Sequence, residues 1–416
     1  MYSGVIGEFI NNIQALRIYV ESVETITFDP NIDLDQNEMM AYLMCIAKEI
    51  KMKNTNVEEF EFPEGIPLEV CTSIKKSIKE LGNYLEISED GTVGTYRSIP
   101  KDIKEHYIKL EAKQRQKEII YSGSLIILIT YFENMIAKLL RCDFRKHPNR
   151  MSLENKTVTY KMLEISESIE DVKNYLIEEE VISLMYKSVS DWIEYLKKKI
   201  KLRLEYASDS LPILNEIMAR RNLIVHNEGK VNSIYINIVS KDNNSFKIGD
   251  VLSVDKEYLN NTINTLELVG VSIIVEMWIN EAGKKKDEID KILSIIFEEY
   301  LIFEKWEQAK ILYEICLDSK KMRAADELLC KINRWQCYKW LDQYDKISSE
   351  LDEIDLSGSN PKYILGVLAL QDKFEYFFQF LSKQNEIGED ELKEWPLFRK
   401  IRESKEYFEF LKTKNT

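Results

Sequence analysis

A mostly α-helical chain is predicted by three features of the sequence. Glycine and proline are scarce, 14 and 8 among 416 residues, so few positions break or turn the backbone. Leu, Ile, Glu, Lys and Tyr dominate instead, which favours helix over sheet or disorder. Long segments also repeat their apolar residues at helical spacing. The length exceeds one ordinary core, so two or three domains are expected.

Residues 1–100 read as an N-terminal helical region. "FINNIQALRIYV" and "MMAYLMCIAKEI" are amphipathic, and the acidic, proline-containing "VEEFEFPEGIPL" and the loop "ISEDGTVGTYRSIP" interrupt them. A central domain is expected over 101–285. It holds a long helix at about 103–141, a basic loop "RCDFRKHPNR", helices near 168–178 and 180–205, and another at about 209–227. "SIYINIV" then alternates apolar and polar residues, "KDNN" supplies turn chemistry and "SFKIGDVLSV" returns, which predicts a small β-hairpin insertion over 233–254. A last long helix covers 256–282.

"AGKKKDE" marks a boundary, and 286–416 reads as a C-terminal helical-repeat-like region. Ala309, Ala324 and Ala325 are small enough for helix pairs to pack closely. The closing "DELKEWPLFRKIRESKEYFEFL" looks like the end of a tetratricopeptide-type array, although no strict period is kept.

The net charge of −14 argues against a general affinity for nucleic acid, so any RNA contact must be local. Six dispersed cysteines form no CxxC pair and no secretory leader opens the chain, so reduced thiols and a cytoplasmic location are expected. The three histidines, His106, His147 and His226, show no zinc-ligand spacing, and neither metal nor cofactor is expected. "SLIILITYF" is too short to span a bilayer, which takes about 20 residues. "INTLELVGVSIIVEMWI" is interrupted by Glu267 and Glu276. Both read as core helices, and no membrane partner is expected.

The segment "EIMARRNLIVHNEGKV" carries the chemistry. At about 100° per residue, Ile213, Leu214, Ile217, Met218, Ile224 and Val225 fall on one arc with Arg221 at its centre. Arg220 lies to one side, and Asn222 and His226, four residues apart, share the other border. A guanidinium directed into a core requires an acceptor. Glu133 shares an arc with Ile126, Ile129, Ile136 and Leu140, and packing of the two apolar faces would bring it to Arg221.

The string Arg221-Asn222-x3-His226 resembles the signature of the HEPN superfamily (higher eukaryotes and prokaryotes nucleotide-binding) over roughly residues 103–282. The preceding acidic helix with Glu133, the glycine after the histidine and the long helix that follows agree with it. The resemblance implies a HEPN-type helical bundle and a metal-independent endoribonuclease working as a homodimer on RNA. It names Arg221, Asn222 and His226 as catalytic, with Glu133 in support, and Arg220, beside the motif, is expected as a phosphate contact.

The residue types make chemical sense of that implication. Cleaving RNA without a metal needs a base for the 2′-OH, an acid for the leaving 5′-oxygen and a fixed cation for the transition state. Histidine moves protons near neutral pH, and arginine suits phosphate. One histidine does not easily serve as both base and acid, so two motif helices across a two-fold axis are expected, with 2′,3′-cyclic phosphate ends as product.

RNA-binding candidates are Arg141, Arg145, Lys146, His147 and Arg150 in the basic loop, and Lys198 and Lys199 within "KKKIKLR". The resemblance further implies a regulated toxin or anti-phage defence effector, with a protein regulator or trigger acting through the C-terminal helices. The alternative is a catalytically inactive scaffold, in which the Arg–Glu pair is structural and the helical repeats recruit a partner. A third reading, nucleotide binding without hydrolysis, lacks a glycine-rich phosphate loop.

Overall fold

The computed structural model describes residues 1–24, 43–48, 50–51, 56–59, 68–81, 85–87, 93–95, 101–151, 157–239, 246–383 and 387–414. The chain is mostly helical and forms two compact units. One comprises Met1–Ile13, Ile129–Asp250 and Asn261–Thr416, and the other Gln14–Leu128 and Val251–Asn260.

The smaller unit has a core of Leu43, Ile46, Ala47 and Ile50 against Ile74 and Ile78 of the helix Leu68–Leu81. A short antiparallel ladder pairs Leu85–Ile87 with Val93–Thr95, Leu85 facing Thr95. It overlaps the segment read from the sequence as a loop.

The larger unit is built around residues 261–282 of the helix Lys256–Ala282, whose bounds match those expected. Leu266, Val269, Ile273 and Ile274 are fully buried, as a helix apolar on all sides requires. Its interrupting carboxylates are satisfied. Glu276 accepts the backbone N–H groups of Arg203 and Leu204, the latter at 3.0 Å, and Glu267 pairs with Lys305 at 3.6 Å. This helix and Arg115–Lys146 are long and apolar enough to cross a membrane, with 89% and 39% of their apolar windows buried within the protein.

The first helical turns of the chain dock on the same helix. Tyr2 stacks on Trp278, ring centroids 6.3 Å apart, and Phe9 lies over Gly270. A Cβ at Gly270 would sit 2.5 Å from Phe9 Cε1 and 2.9 Å from Met135 Cε, so only glycine permits this approach.

Beyond residue 286, the helices Trp306–Asp318 and Ala324–Trp340 pack on each other, with Ala309, Cys316 and Cys330 fully buried between them. Ala324 and Ala325, expected at this contact, are exposed in the first turn of their helix. Farther on, Phe377, Phe398, Trp335 and Leu365 form an aromatic and aliphatic core. Lys339 is enclosed beside it and donates to the carbonyls of Ala369 and Leu370, at 3.2 and 2.7 Å, at the end of the helix Pro361–Leu370. None of the six cysteines forms a disulfide.

Three expectations are corrected. The hairpin over 233–254 does not form: Ser233–Val239 is a helix. Tyr235 and Val239, four apart, are buried and Ile234 and Ile238 are exposed, a period of four rather than two. Asn232 starts this helix by accepting the Tyr235 N–H at 2.9 Å. Residues 240–245 lie outside the described residues.

The basic loop begins later than expected, because the helix Lys101–Lys146 carries Arg141, Arg145 and Lys146. The helices expected near 168–178 and 180–205 are instead Ile169–Met185 and Val189–Tyr195, the second followed by a wide turn at Leu196–Ile200. Ser188 and Asp191 form a capping box that starts the second.

Candidate functional site

The helix Leu211–His226 buries Leu214, Ile217, Ala219 and Leu223. The arc expected to face the core is only partly covered, since Ile213 and Val225 are exposed. Arg221 is therefore not sunk in a core but held at its edge.

The helix stops because Glu228 and Gly229 take left-handed backbone angles, φ 53° and 74°. The N–H groups of Asn227 and Gly229 both donate to the Leu223 carbonyl, at 2.8 and 3.0 Å. The Asn227 side chain ties the turn by donating to the Lys230 carbonyl at 2.5 Å. His226 is consequently the last helical residue, exposed beside a fixed turn.

Arg221 Nη2 donates to Glu133 Oε1 at 2.8 Å, and its Nη1 donates to Asn222 Oδ1 at 3.1 Å. The side chains of Arg221 and Glu133 are 26% and 29% exposed, so the pair is half-buried. The contact inferred between the two apolar helices is present. Asn222 is exposed on the same face as His226, one turn earlier. Glu133, Arg221 and Asn222 thus form a hydrogen-bonded row, and among the described residues no side chain hydrogen-bonds to the His226 ring.

Arg220 is placed differently. Its Nε donates to Glu216 Oε1 at 2.7 Å one turn earlier, and its side chain is only 12% exposed. The Tyr235 hydroxyl donates to the same Glu216 oxygen at 2.8 Å. Burial, reinforced by the Glu216 charge, pushes the Tyr235 phenol up to about 12. Helical geometry puts Arg220 roughly opposite Asn222. It braces the helix Ser233–Val239 and does not face the Asn222–His226 side. Glu216 and Tyr235 were missed as its partners, although Glu216 stands at the i−4 spacing of a helical ion pair.

The basic candidates are mostly engaged. Arg141 makes a two-pronged contact with Glu178 at 2.7–3.0 Å, which holds the Glu178 carboxyl below its ordinary range. Lys146 and His147 meet Glu281 at 2.8 and 3.3 Å. Arg150 pairs with Asp143, whose burial raises its carboxyl, and Lys198 pairs with Glu194. Arg145 and Lys199 are exposed, and no ion pair holds them among the described residues. Among the described residues, no group of three or more His, Cys, Asp or Glu is arranged to hold a metal. The structure does not bring His147 into the motif, and it describes no side-chain environment for His106.

No family model, no curated protein and no solved structure matches the chain.

Proposed function

We propose that the chain is a metal-independent endoribonuclease of the HEPN type, deployed as a regulated toxin or anti-phage effector. The observation that carries this reading is the row Glu133–Arg221–Asn222 ending one turn before an exposed His226. Glu133 fixes the guanidinium without enclosing it, leaving a cation at the surface for a scissile phosphate. Asn222 orients that guanidinium and offers its amide to the phosphate or to the imidazole. His226 moves the proton of the ribose 2′-OH or of the leaving 5′-oxygen.

One chain supplies one such histidine, so the reading requires two copies with their motif helices at a shared groove. Val225, next to His226, and Ile234 and Ile238 on the adjoining helix are exposed and offer apolar surface for that pairing. DNA lacks the nucleophile and resists.

The test is incubation of purified protein with a generic RNA in EDTA. Cleavage leaving 2′,3′-cyclic phosphate ends, and its loss in His226→Ala with the dimer intact, is the expected result. Activity that persists in that variant, or a chain that stays monomeric while cleaving, removes the assignment.

A scaffold is the second reading, favoured by the fact that Glu133 already meets the Arg221 charge. Under it, wild-type protein leaves RNA intact and Arg221→Ala changes stability alone.

A further inference from the structure

We propose that the outward face of the helix Ile169–Met185 is a docking surface for a basic amphipathic helix of another protein. This helix buries Ile177, Val181 and Leu184 on one side. On the opposite side, at spacings of seven and four residues, stand Tyr175, Ile182 and Tyr186, which are 46%, 51% and 88% exposed. A surface helix ordinarily turns polar residues outward, and one apolar on both faces is ordinarily enclosed. Here only one face is.

The apolar surface extends upstream. The helix Tyr160–Ile165 has no buried residue, and Leu163, Ile165 and Ile169 are all more than half exposed. The capping box of Ser168 and Asp171 fixes the start of the longer helix, so its outer stripe is formed before any partner arrives.

Charge selects the occupant. Between residues 160 and 186 the sequence has seven carboxylates against two lysines, and Arg141 from the helix Lys101–Lys146 takes Glu178. Glu179 lies within the stripe, where its carboxylate accepts the Tyr175 hydroxyl proton at 2.7 Å. An apolar strip set among carboxylates repels RNA and anionic lipid headgroups and suits a helix with one apolar and one basic face. This surface shares no residue with the Arg221–His226 site.

The experiment uses the full chain and two labelled peptides of about 18 residues, five helical turns. One carries Leu at the i, i+3, i+4, i+7 spacing of one helix face with Lys at the remaining positions, and the other replaces Lys with Glu. The paired substitution Ile182→Ser and Tyr186→Ser alters no charge and touches no buried contact, so general attraction to an acidic protein is unchanged by it.

The expected result by fluorescence anisotropy is saturable binding of the Leu/Lys peptide, weakened about tenfold or more by the paired substitution, and no binding of the Leu/Glu peptide. Equal affinity for both proteins overturns the proposal. So does self-association, or cosedimentation with phosphatidylcholine vesicles, that the same substitutions abolish, since either assigns the surface to a different occupant. Thermal melting of both proteins verifies that the fold is retained.

Discussion

The C-terminal half of the helix Leu211–His226 and the helix Ala324–Trp340 both place polar side chains within apolar sequence, with opposite results. In the first, Asn222 and His226 reach solvent and Arg221 is held at the edge by Glu133. In the second, Asp326, Asn333, Gln336 and Lys339 are enclosed. Lys339 there closes the end of a neighbouring helix, satisfying two terminal carbonyls and pairing with Asp372 at 2.6 Å. Lys339 is thus a structural fastener, whereas Asn222 and His226 are presented to solvent. Exposure and the identity of its partner separate the two.

His226→Ala offers the sharpest way to break this contrast. It should lower RNA cleavage by about 10²–10⁴-fold while leaving the melting temperature unchanged, because the side chain is exposed. A large loss of stability would move His226 to the fastening class.

Lys339→Met is the mirror experiment. It strands the Ala369 and Leu370 carbonyls and should cost about 1–3 kcal/mol in denaturant unfolding, with cleavage per folded molecule unaffected. Gly270→Ala belongs with it. The added methyl overlaps Phe9 and Met135, and a loss of about 1–3 kcal/mol is expected from the same measurement.

The smallest effect is electrostatic. The Arg141 hydrogen bonds lower the Glu178 carboxyl below its ordinary value near 4.5. A depressed carboxylate contributes stability above its unfolded value and loses it as pH falls through the folded one. Glu178→Gln should therefore cost under about 1 kcal/mol at neutral pH, given the exposure of the pair. The difference should vanish in acid below the Glu178 folded value. A pH-independent difference would show that the contact acts by packing rather than charge.

Much of the helical order was legible because its signals are local. Ser168 starts one helix, the apolar run from Ile263 to Ile279 defines another, and the angular arcs of Arg221 and Glu133 led to their contact. The Ser233–Val239 segment was misread because β-branched residues alternate there with polar ones. Its burial is decided instead by Tyr235 and Val239 against the motif helix, a tertiary preference that local propensity does not carry.

The basic cluster was overestimated for a related reason. Glu178 and Glu281, which engage Arg141, Lys146 and His147, stand 37 to 135 residues away in sequence. The exposed face of Ile169–Met185 passed unnoticed because apolar periodicity alone does not show which of two stripes is left uncovered.

Arg220 and Arg221 are chain neighbours that answer to different acids, Glu216 within the helix and Glu133 across to another. In diverged sequences of this kind, substitutions at the doublet should therefore travel in two separate couples. Drift of position 220 with 216 would leave 221 with 133 untouched, so that an ancestry of compensating exchanges could be read for each couple alone.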